Sequence, residues 1–158
     1  MSIVQSGNVT PNHLVSWVAP GVVADGGPSL GASETVLAQL LGANFNTTDD
    51  QAIPIVSTIT RFCLTRLIVT NPSLSLTTAV GGFYPQPSKG GTAIVANTQV
   101  YSTLTAASKL LNPTLTSYGS TTVFDSTILT AFSLYFALTT PQGVAATGDI
   151  YICGIVLA

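Results

Sequence analysis

Acid–base chemistry near neutral pH needs a proton carrier, and this chain offers one histidine, His13. Its neighbours in sequence are Pro11, Asn12 and Leu14, with no acid close by. Triad catalysis requires a carboxylate that orients the imidazole, so His13 reads as a surface or interface side chain. Asp49 and Asp50 are the only adjacent carboxylates. Neighbours on a strand point to opposite faces, which works against joint acid–base or metal duty. They read as a solvated turn. Cys63 and Cys153 each lie in an apolar, strand-like run and read as two buried thiols rather than a disulfide. A metal site built on them would need further ligands, and no set presents itself. No cofactor is expected, and no nucleophile–base pair is read, so the chain is expected not to be an enzyme.

Two further groups of residues are candidates for contact rather than catalysis. Gly81–Gly82 and Gly90–Gly91 flank a loop that holds Phe83, Tyr84, Gln86 and Lys89. The loop lacks the lysine and hydroxyl placement that a phosphate cradle needs at a helix start. It reads first as a long hairpin loop. The functional alternative is a contact loop, in which the aromatics, the glutamine and the lysine meet a glycan or a neighbouring protein. Arg61 and Arg66 fall on opposite faces of one strand by strict alternation, so they cannot clamp one anion together.

The elements that must carry these residues divide the chain unevenly. Residues 1–31 are interrupted by Gly7, Pro11, Pro20, Gly21, Gly26, Gly27 and Pro28, which no helix survives. The pieces between them look too short for a sheet of their own. Yet this stretch carries Leu14, Val15, Trp17, Val18, Val22 and Val23, more apolar bulk than a disordered linker would. Burying such side chains is worth about 1.5–3 kcal/mol each, and an arm without a core gains that only against another surface. These six residues are therefore expected to form a docking arm. Residues 33–42 read as a short helix, with Ser33 as N-cap, Glu34 in the first turn and Gly42 as terminator; an extended strand is the competing reading. The arm with this element is assigned to 1–43, and a β domain to 44–158.

From residue 44 onward the pattern is β. Residues 58–70 and 149–157 are rich in β-branched and aromatic side chains, and 131–139 alternates, with Phe132, Leu134, Phe136 and Leu138 on one face. Shorter strands are expected over 73–80, 92–95, 99–104, 109–116 and 120–124. About eight strands punctuated by turns imply an all-β fold, a jelly-roll-like β-sandwich with an extended N-terminal arm. Two strands, 58–70 and 150–157, are apolar on both faces, which suggests cover from both sides.

Composition points the same way. Of 158 residues only 6% are charged, against roughly 25% in ordinary soluble domains, and mean hydropathy is +0.53. The cations are Arg61, Arg66, Lys89 and Lys109, too few and too dispersed for sequence-independent nucleic-acid binding. The uncharged run 126–148 is broken by threonines, Pro141 and Gly143 before reaching the about 20 apolar residues of a spanning helix. The start of the chain does not resemble a signal peptide. The expectation is a protein outside the membrane, unprocessed, with much of its surface covered by partners.

Two stretches resemble known proteins. QSGNVTPNHLVSWVAPGVVADGGP, from Gln5, is similar to a segment near the start of many tailed-bacteriophage virion proteins. SLTTAVGGFYPQPSKGGTAIV, with the later QVYSTL and LTTPQGVAATGDIYICG, resembles small β-domain proteins encoded among phage structural genes. With this size, the resemblance implies a capsid decoration (cement) protein: a homotrimer on the virion surface, made in the host cytoplasm. Its partners would be the major capsid protein or other virion proteins, with neither nucleic acid nor membrane bound. A short tail- or head-fibre subunit, or a receptor- or glycan-binding tip, is the alternative.

Overall fold

The computed structural model describes residues 4–6, 13–19, 22–28, 34–116, 123–124 and 128–157. The chain divides into two units, Met1–Ser33 and Glu34–Ala158.

The first unit is extended, as its glycines and prolines require, but its pieces pair with one another. Strand β1 (Val4–Ser6) lies parallel to β3 (Val22–Pro28), and β2 (His13–Ala19) runs antiparallel to β3. This corrects the expectation that the pieces are too short for a sheet. Only Pro20 and Gly21 separate β2 from β3, so Ala19 comes opposite Val22 and pairing is local.

The second unit is an all-β sandwich of two antiparallel sheets, with no helix among the described residues. Its strands are β4 (Thr35–Asn44), β5 (Gln51–Pro54), β6 (Phe62–Thr70), β7 (Val80–Tyr84), β8 (Leu110–Leu111), β9 (Val123–Phe124), β10 (Ser133–Thr140) and β11 (Thr147–Val156). One sheet runs β4-β11-β6-β8, with β9 also on β6; the other runs β5-β10-β7. Ile94 and Val95 extend the second sheet by exchanging backbone bonds with Phe83. The first strand of the sandwich thus pairs with the last and the second with the next to last. The third pairs with β8 and β9, and the fourth with 94–95. A long hairpin folded over itself in this way is a jelly roll. Several expected strands are shorter than alternation suggested: 73–79 forms none, and 99–104 makes one bridge, Val80 to Val100, with a further backbone bond from the Leu76 N–H to the Leu104 carbonyl.

Residues 33–42 supply the main correction. Thr35–Asn44 is a strand, so residues from Glu34 onward belong to the sandwich rather than to the arm. Val36, Leu37, Leu40 and Leu41 mimic a helical face because the strand is bulged twice. Leu37 is passed over where Ile152 and Cys153 meet Ala38 and Val36, and two residues, Leu41 and Gly42, face Asp149 alone. Gly42 takes φ +67° there, and its N–H donates to Asp149 Oδ1 at 2.9 Å.

A bulge also explains why β6 looked apolar on both faces. Thr65 has no partner on β11, since Cys153 pairs with Arg66 and Gly154 with Leu64. The extra residue moves Leu67 and Val69 onto the face of Phe62 and Leu64, and all four are fully buried. The core they join is aromatic at its centre. Phe136 touches Phe45, Phe83 and Tyr101 at ring-centroid distances of 5.0, 5.1 and 5.9 Å, while Phe62 stacks on Phe124 at 5.3 Å. No polar side-chain atom buried among the described residues lacks a hydrogen bond.

Candidate functional site

Polar groups of the sandwich gather where the β4–β5 turn meets the loop after β7. Thr47 and Asp49 close the turn reciprocally: Thr47 Oγ1 donates to Asp49 Oδ2 at 2.9 Å and accepts from the Asp49 N–H at 3.1 Å. Asp50 instead accepts from the Ser88 backbone N–H, and Lys89 Nζ donates to the Thr48 carbonyl at 3.2 Å. The two carboxylates therefore serve different neighbours, in line with a solvated turn. Ser88 and Lys89 both adopt left-handed backbone, φ +57° and +56°, so the hairpin tip is tightly turned and tied down by Asp50.

This geometry corrects the contact-loop reading. Phe83 and Tyr84 end strand β7 and are buried, so neither ring offers a face to a glycan. Tyr84 lies close enough to Asp50 for the carboxylate to act on it; burial first, and that charge second, raise its phenol above the ordinary range. Gln86 and Lys89 alone of the four are exposed. Alternation in the sequence carried no sign that the glycines sit inside the strand. A Cβ on Gly81 would strike the Leu138 backbone, and one on Gly82 the Val95 carbonyl. They are close-approach glycines within β7 rather than loop residues.

The outer face of the β4-β11-β6 sheet holds the second gathering. Val36, Cys153 and Arg66 form one row across the three strands, and Gln39, Tyr151 and Ile68 another. Arg66 Nη2 pairs with Glu34 Oε2 at 2.7 Å, and Thr65 Oγ1 donates to Glu34 Oε1. Arg66 thus finds its acid within its own chain. Cys153 is buried and Cys63 half-buried, and both are free thiols. Burial and the nearby Glu34 raise the Cys153 thiol, against an opposing pull from Arg66, so it stays protonated and unreactive at neutral pH. Arg61 precedes β6 and is exposed.

Of the arm residues, Leu14, Val15, Trp17 and Val18 fall on β2, and Val22 and Val23 on β3, with Trp17 opposite Val23. Their side chains, and that of His13, lie outside the described residues. Residues 27–31 read Gly-Pro-Ser-Leu-Gly, the spacing of a nucleophile elbow. That motif requires a strand-to-helix turn. The next described element is strand β4, and residues 29–31 lie outside the described part.

Among the described residues no pocket is found, and no three His, Cys, Asp or Glu side chains are placed to hold a metal. No described helix is long and apolar enough to cross a membrane. Comparison with protein-family models, with curated proteins and with solved structures returned no match.

The arrangement is suited to binding through surface. Seven large apolar side chains are exposed among the described residues of the sandwich: Val36, Leu41, Val56, Val100, Leu110, Val144 and Val156. Sequence reasoning missed the polar residue that organises one end of the sandwich. Gln142 is buried and accepts from the Thr78 and Ala79 N–H groups at 3.1 and 3.2 Å. It also donates to the Ser75 carbonyl and Thr77 Oγ1, both at 3.2 Å. A glutamine in a Pro-Gln-Gly turn gives no signal in sequence that a distant loop closes over it.

Proposed function

We propose that this chain is a non-enzymatic structural protein of a virus particle, a decoration protein that binds the outside of a phage head and stabilises it. The observation that carries the reading is a jelly-roll sandwich whose sparsely charged surface leaves seven large apolar side chains exposed among the described residues. Each of these side chains would gain burial energy against a partner. The separate N-terminal unit, with Leu14, Val15, Trp17, Val18, Val22 and Val23 on its strands, is the segment proposed to dock on the shell. The resemblance to phage virion proteins supplies the class of partner, the major capsid protein, and a trimer as the decorating unit. The glycan-binding alternative has lost its aromatic platform with the burial of Phe83 and Tyr84.

Co-sedimentation with phage heads tests this directly. Full-length chain is expected to saturate particles, whereas residues 34–158 alone are expected to remain in the supernatant while keeping their β circular-dichroism signal. Full occupancy by the shortened chain would refute the docking role, and no binding by either would refute the decoration reading.

A further inference from the structure

Among the described strands of the sandwich, β4 is the one long edge. It pairs only with β11, and its other side is closed at both ends but open between. At one end the Val56 N–H donates to the Leu37 carbonyl at 3.0 Å. At the other, the Gln51 carboxamide imitates a neighbouring strand: its Oε1 accepts from the Asn44 N–H at 2.7 Å and its Nε2 donates to the Asn44 carbonyl at 2.8 Å. Between these caps, from Ala38 to Leu41, no backbone partner from the described residues of the sandwich lies on the outer edge.

Edges left open in folded proteins normally carry charge, proline or a covering element. This one, TVLAQLLGAN, has no charged residue and no proline. Val36 and Leu41 on it are 48% and 59% exposed. The other described edges of the sandwich are poor partners for it. β5 is four residues long and ends in Pro54, while β8 and β9 have two residues each. The edge of comparable length is β4 of another copy. Antiparallel pairing of a strand with itself about a two-fold axis sets no like charges opposite one another here, because there are none.

We propose that two copies of this chain join edge to edge through residues 38–41 of β4, making one continuous sheet across a two-fold axis. The pairing satisfies the free backbone groups and brings Leu41 of each copy against its partner, covering apolar surface that a monomer exposes. It does not depend on the virion reading. If three copies form the decorating unit, β4 joins neighbouring units.

Sedimentation equilibrium of the full chain is expected to give an even-numbered species, a dimer or a hexamer. Leu41→Lys and Gln39→Lys, both at exposed positions, set like charges across the axis and are expected to raise the dissociation constant of that contact by about tenfold or more. Val100→Lys, exposed elsewhere, is expected to leave it unchanged. Hydrogen exchange on the wild-type chain gives a second reading that needs no variant: amides within 38–41 should exchange faster on dilution. A monomer, a trimer that goes no further, or association that leaves these amides unprotected would overturn the proposal. Concentration-dependent protection of β2 instead would assign the contact to the N-terminal unit and overturn it as well. Particle binding measured separately would be unaffected by either result.

Discussion

Strands β10 and β4 are similar in length and equally rich in apolar residues, yet they behave as opposites. β10 lies between β5 and β7, and up to its one register shift, between Leu138 and Thr140, the alternation of Leu134, Phe136 and Leu138 carries into a core where all three are fully buried. β4 has one neighbour, two bulges and an apolar pattern that imitates a helix. A strand held on both sides has its register imposed twice, so a slip would turn its whole buried face outward. An edge strand is held once, and a bulge there disturbs a single ladder. The interior of the sandwich is therefore where substitution should cost most, and the β4 side is where it should cost least while affecting association.

Phe136→Ala should produce the largest loss, about 3–5 kcal/mol, because it removes the ring against which Phe45, Phe83 and Tyr101 pack. Denaturant unfolding measures it, and a loss below that of a surface substitution would remove the distinction between the two regions. High pH probes the same cluster. Burial raises the Tyr101 phenol far above its ordinary value of 10.0, and its hydroxyl donates to the Gly81 carbonyl at 3.3 Å. With the folded value raised, this group's contribution is fully present below pH 10.0 and is lost as pH climbs above it. Thermal melts should accordingly fall steeply on the alkaline side, with the part of the phenolate absorbance that Tyr101→Phe removes appearing together with unfolding. In Tyr101→Phe that slope should be shallower.

Smaller effects sharpen the contrast. Gln142→Ala strands the Thr78 and Ala79 N–H groups and should cost about 1–3 kcal/mol in the same denaturant assay. Gly42→Ala meets no atom within 4 Å, so its cost is the left-handed backbone alone, about 1 kcal/mol. A much larger cost would mean that the β4 bulge is as tightly held as the interior. Arg66→Ala breaks an ion pair whose side chains are 51% and 33% exposed, and should shift stability by about 0–1 kcal/mol, less at high salt.

How far the sequence could be read follows the same division. The all-β class, the face of β10 and the solvated Asp49–Asp50 turn were legible because each depends on near neighbours in the chain. The burial of Phe83 and Tyr84 was not, since it depends on Phe136 and on glycines that let β7 lie close to β10 and to residues 95–96. The internal partner of Arg66 was hidden for a similar reason: Glu34 was assigned to a helix start, and only the β4–β11–β6 register brings it near.

Composition and spacing by themselves determined that this protein is built of strands, is nearly free of charge and begins with a segment no helix could run through. Those properties are local, set by β-branched side chains, glycine and proline one residue at a time. Tertiary structure decided which of two apolar faces is core, where the bulges fall and which edge is left without a partner. Each of these is a matter of register between strands far apart in the chain, and a single inserted residue reverses the outcome without leaving a mark in the composition.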